Sequence, residues 1–91
     1  MSAPGAVTVE FFGIPRQRAG RAELRVSAAS VTEALAAVQA VCPRLVDLRA
    51  ADGRIAANYL VSINGNGFVT DPSAAMHPGD HLLVLSADAG G

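Results

Sequence analysis

Residues 81–86 read HLLVLS, an apolar run in which both phases of a two-residue period are filled. In the strand this predicts, Leu82 and Val84 share one face and Leu83 and Leu85 share the other. A strand that is apolar on both faces suits the middle of a sheet, so the rest of a 91-residue chain must cover it. That length makes one domain with one compact core, which buries roughly 60–65% of the unfolded surface. Hydrophobic residues make up 51% of the chain, enough for a packed globule and too many for a disordered segment.

The partners of this strand are legible upstream. In VTVEFF, residues 7–12, Val7, Val9 and Phe11 point one way and Thr8, Glu10 and Phe12 the other. That is a half-buried strand with one oddity, since Phe12 falls on the wet face. GIPRQRAG, bounded by Gly13 and Gly20 with Pro15 inside, reads as a connection. AELRV then alternates again, with Leu24 and Val26 inward, so the two strands read as a hairpin. The period changes at SVTEALAAVQAVCP. Ser30 and Glu33 form a capping-box pattern, Val31, Leu35, Val38 and Cys42 make one helical stripe, and Pro43 stops the helix.

In RLVDLRAADGRIAAN, Leu45 and Leu48 pin a short helical turn and Asp52-Gly53 marks another turn. YLVSIN is a strand with Val61 and Ile63 inward, NGNG a hairpin signal and FVT a short return strand. DPSAAMHPGD is a loop closing on Pro78-Gly79-Asp80. A hairpin, one crossing helix and a second set of strands predict an α+β fold. It is a mixed sheet of four to five strands with one main helix on one face, the last strand beside the first. That arrangement is the β-grasp, or ubiquitin-like, architecture. The expected organisation is a flexible N-terminus over 1–6, a β-grasp domain over 7–86 and a flexible Gly-Gly tail over 87–91.

Several functions are disfavoured by composition. The net charge is −1 and all seven basic residues are arginine, with no basic stripe, so no nucleic-acid partner is expected. A single cysteine, Cys42, excludes an internal disulfide and a four-cysteine iron–sulfur site, and it reads as a small buried hydrophobe. His77 and His81 are four apart, but Pro78-Gly79 between them breaks the helical geometry a metal pair needs. They read as solvent-facing turn histidines, and no metal is expected. MSAPGAV carries no basic n-region or apolar run, so no leader, no membrane span and a cytoplasmic location are expected. No nucleophile–base pair or phosphate loop is evident, and the chain is not expected to be an enzyme.

Two features remain unabsorbed by the core. Phe12, Leu83 and Leu85, joined by Phe68, lie on the sheet face away from the helix, which reads as a partner surface. The chain then runs from the last strand into SADAGG. Ala87 to Gly91 span roughly 17 Å when extended. Gly90 and Gly91, lacking Cβ atoms, can pass through a narrow channel and bring a carboxylate close to another protein's backbone.

These residues resemble the ThiS/MoaD-like sulfur carriers, which include the small subunit of molybdopterin synthase. The resemblance runs from Val7 to Gly91. It rests on VEFFG, the Arg-Ala-Gly at Arg18 to Gly20, the helix, SINGNGFV, the PGD turn and the terminal GG. It implies that a ubiquitin-activating-type adenylating enzyme joins the Gly91 carboxylate to AMP from ATP, with Gly90 allowing close approach. A sulfur nucleophile then displaces AMP and leaves a thiocarboxylate, which a sulfur-acceptor enzyme such as a molybdopterin synthase large subunit consumes. It also implies that Phe12, Phe68 and Leu85 pack against those partners. The chain itself would bind no cofactor; ATP belongs to the partner. Molybdopterin-type members carry prolines just before the tail, where this chain has LSADAGG. The acceptor pathway therefore stays open. A ubiquitin-like modifier conjugated through Gly91 is the rival reading, and an assembly module with an inert tail is a third.

Overall fold

The structure, a computed structural model, describes residues 5–87. Chain order is β1 (Ala6–Phe11), α1 (Ile14–Ala19), β2 (Glu23–Ser27), α2 (Val31–Val41), a 3-10 turn (Pro43–Leu45), β3 (Tyr59–Ile63) and β4 (His81–Ser86). The four strands form one sheet in the order β2-β1-β4-β3. β1 pairs antiparallel with β2 and parallel with β4, and β4 pairs antiparallel with β3. The doubly apolar strand is therefore central and lies beside the first strand, in a β-grasp, ubiquitin-like arrangement.

Alternation places Val7, Val9 and Phe11 of β1 and Leu82 and Val84 of β4 at 0–1% exposure under α2. The helix answers with Val31, Leu35 and Val38 at 0% and Cys42 at 3%. Each fully buried Leu or Phe here stabilises the fold by about 1.5–3 kcal/mol. Ser30 caps α2: its Oγ accepts the Glu33 N–H at 3.2 Å, while Glu33 Oε1 accepts the N–H of Ala29 at 2.9 Å, one residue ahead of the cap itself. The first two helix donors, which precede Glu33, are met by the 71–80 loop. Val31 N–H bonds the Ala74 carbonyl at 3.0 Å and Thr32 N–H that of Pro72 at 2.9 Å. Leu45 and Leu48, both 0% exposed, anchor the segment between α2 and β3.

Four expectations are corrected. GIPRQRAG is not a bare connection but holds α1. Pro15 sits in the first turn, where its missing N–H costs nothing, and Gly20 closes the helix at φ 73° with its N–H on the Arg16 carbonyl. FVT is not a strand: one bridge, Ser62 to Phe68, and a 2.7 Å bond from Val69 N–H to the Val61 carbonyl are what it forms. The turn before it is as read, since Asn64 and Gly65 both have positive φ and Asn66 N–H returns to the Ile63 carbonyl at 3.0 Å. Residues 5 and 6 are tied into the fold. Ala6 pairs with Ser27, Gly79 N–H donates to the Ala6 carbonyl at 2.9 Å and Ala28 N–H to that of Gly5 at 3.3 Å. His81, finally, is not a turn residue but opens β4.

Candidate functional site

The face of the sheet opposite α2 is divided by register into two halves. At one end stand Thr8 of β1, Arg25 of β2 and His81 of β4, while Glu10, between Glu23 and Leu83, lies across the middle. His81 Nε2 lies 2.8 Å from Glu10 Oε1, a diagonal pair across β1 and β4. The other end is apolar. Leu85 is opposite Leu60, and Leu83 is opposite Ser62, which bridges in turn to Phe68. Phe12 lies one residue past the Phe11–Val84 pair, beside Leu85, and its N–H bonds the Val84 carbonyl at 3.0 Å.

The expected partner residues are thus brought together: Phe12 at 38% and Phe68 at 60% exposure, with Leu83 and Leu85 half-buried between them. Leu60 belongs with them. It was legible in YLVSIN, whose alternation turns Leu60 outward whenever Val61 turns in. A groove of about 300 Å³ adjoins this half at the outer edge of β3, lined by Ile55, Tyr59, Leu60, Phe68 and Val69 among others.

The apolar half is at the end where β4 finishes. Ala87 continues the ladder by one bond, its N–H on the Asn58 carbonyl at 2.9 Å. Gly90 and Gly91, the expected reactive residues, lie outside the described residues. A row of large apolar side chains beside the root of the tail can seat a partner and present the tail to it in one event.

A polar cluster absent from the sequence reading lies at the same root. Asp47 Oδ2 accepts from Arg18 Nη1 at 2.9 Å and from Asn58 Nδ2 at 3.2 Å; its Oδ1 accepts the Tyr59 hydroxyl at 2.8 Å. Arg18 Nη1 also donates to the Tyr59 oxygen at 2.7 Å. Burial pushes the Asp47 carboxyl up, but the bonds from Tyr59, Asn58 and Arg18 outweigh it and hold the group below its ordinary range. Burial, followed by the bond to Asp47, raises the Tyr59 phenol. No sequence signal links these residues, which are 29 and 41 positions apart.

Cys42 is buried at the end of the α2 stripe. His77 Nδ1 lies 3.6 Å from Asp80 Oδ2, separate from the His81–Glu10 pair. No helix among the described residues is long and apolar enough to cross a membrane.

Sheet order and helix placement define a β-grasp, ubiquitin-like fold. Solved structures agree. The chain is similar to SAMP1 from Haloferax volcanii, at 26% identity and TM-score 0.82 over 96% of this chain and 100% of that one. It is also similar to a chain of the Amycolatopsis orientalis BexX/CysO complex, at 25% identity and TM-score 0.79 over 93% and 99%. The fold is shared with a putative molybdopterin converting factor, subunit 1, from Pyrococcus furiosus, at 20% identity and TM-score 0.73 over 90% and 97%. No protein-family model matches the sequence, and no curated protein matches it significantly.

Proposed function

We propose that this chain is a sulfur carrier that works through the carboxylate of Gly91, molybdopterin-type or general in its acceptor. The observation that carries the reading is the coincidence of the apolar half of the open face with the end of β4. A carboxylate is a poor electrophile. An adenylating enzyme docked on Phe12, Leu83, Leu85 and Phe68 would attach it to the α-phosphorus of ATP and release pyrophosphate. Hydrosulfide would then attack the acyl carbon, AMP would leave, and a thiocarboxylate would remain on Gly91. Its sulfur is a better nucleophile than the oxygen it replaced, so a sulfur-acceptor enzyme docking on the same face can take it. Gly90 and Gly91 suit this because neither presents a Cβ to a narrow channel. The chain contributes docking and reach, and the chemistry belongs to its partners.

The second reading is a protein modifier that uses the same activated terminus on lysines of target proteins. It is favoured by the likeness to small archaeal modifier protein 1, at 25% identity in one of its structures. The products separate the two. Antibody against the chain in lysate detects one free species if it is a carrier and a ladder of heavier conjugates if it is a modifier. A Gly91-deleted form that supports the pathway as well as the full chain contradicts both.

A further inference from the structure

The structure shows what holds the chain at Ala87, where β4 has ended. Four residues follow Ala87 in the chain. The Ala87 N–H bonds the carbonyl of Asn58, and the Asn58 side chain bonds Asp47. Asp47 is fixed from two other elements, by Arg18 of α1 and Tyr59 of β3. The Tyr59 hydroxyl spends its proton on Asp47 and a lone pair on Arg18, so the three side chains close a ring. Tyr59 is 4% exposed and is itself paired with Ser86, the residue before Ala87.

We propose that the Arg18–Asp47–Tyr59 ring, acting through Asn58, is a positioning device that fixes the chain at Ala87 and so sets the origin of the Gly-Gly segment. The inference rests on the carrier reading for its consequence and on geometry alone for the tether. A brace serving only the 43–58 segment would need Asp47, Arg18 and Tyr59. Tyr59 reaches the last strand at Ser86, and the Asn58 link is the part that extends the hold one residue further, to Ala87. Losing it lets the chain peel back along β4, and each residue added to a flexible tether dilutes its end at a partner's active site.

The test uses the full chain and four variants: Asn58→Ala, Asp47→Ala, Asp47→Asn and, as a surface control, Asp52→Ala. Asn58 is exposed, so Asn58→Ala leaves the core intact. Amide hydrogen exchange at Ala87 is expected to quicken about fivefold in Asn58→Ala and Asp47→Ala, the weight of one hydrogen bond, while the amides of residues 82–84 hold their rates. Asp47→Asn keeps an acceptor oxygen and should lie between. With a ubiquitin-activating-type adenylating enzyme and ATP, pyrophosphate release should show a kcat lowered at least about twofold with an unchanged KM, because the docking face is intact. Exchange that rises equally along all of β4, or not at all, overturns the tether. Wild-type kcat in Asn58→Ala alongside faster exchange overturns its role in positioning. If the wild-type chain releases no pyrophosphate the carrier reading fails, and the Ala87 exchange still decides the tether.

Discussion

Phe12 gives its backbone N–H to the Val84 carbonyl at 3.0 Å, which carries the β1–β4 pairing one residue past the end of β1. That bond aligns Phe12 with Leu85 at the tail end of the sheet. Its side chain, 38% exposed, lies outside the buried core. Phe12→Ala should weaken binding to the adenylating enzyme by more than about 1 kcal/mol, with the melting temperature nearly unchanged. Titration calorimetry checks it; unaltered affinity removes Phe12 from the interface.

Gly5 makes a prediction at the opposite end. A Cβ built on it would overlap the ring and backbone of Pro78, which no side-chain rotation relieves. Gly5→Ala should cost about 1–3 kcal/mol in denaturant unfolding, as overpacking does, and leave partner affinity alone. Equal stability would mean that β1 starts free of the 77–80 turn.

Ser30→Ala removes the side chain that accepts the Glu33 N–H, and should cost about 1 kcal/mol. Ser30→Asp, which restores an acceptor beside the helix N-terminus, should recover most of it in the same unfolding assay. No recovery would place the loss elsewhere than in the cap.

Acid should weaken the fold through three carboxylates. Asp47, Asp71 and Asp80 are all held below an ordinary value of 3.8, Asp71 mainly by Ser73 and Asp80 mainly by the His77 N–H followed by Asn64. A depressed folded-state pKa gives stability that is present above the unfolded pKa and disappears as pH falls through the folded one. Melting temperature should therefore hold from neutral pH to about 5 and decline below about 4. Asp47→Asn should flatten that decline modestly, since the Asp47 side chain is 43% exposed and well screened. A decline of the same steepness in the variant contradicts the assignment.

Much of this was legible in the sequence because periodicity reports faces. The alternation in VTVEFF and HLLVLS set Phe11 inward and Phe12 outward, and the i, i+4, i+7 stripe of α2 named the buried Val31, Leu35 and Val38 but not Ala34, which is buried with them. α1 escaped because Pro15 and two flanking glycines look like loop punctuation. In fact proline suits a helix start and glycine a helix end. The Arg18–Asp47–Tyr59 ring escaped for a different reason. It is made by tertiary closure of three elements, and no local pattern encodes a pairing across such separations.

The central claim is that Gly91 is the group on which partners act. Intact-mass spectrometry of the full chain after incubation with its adenylating enzyme, ATP and sulfide tests it directly. The account predicts replacement of one oxygen by sulfur, confined to the C-terminal peptide and absent from a Gly91-deleted form. An unchanged mass with an enzyme that binds the chain, or the same change in the deleted form, would contradict it.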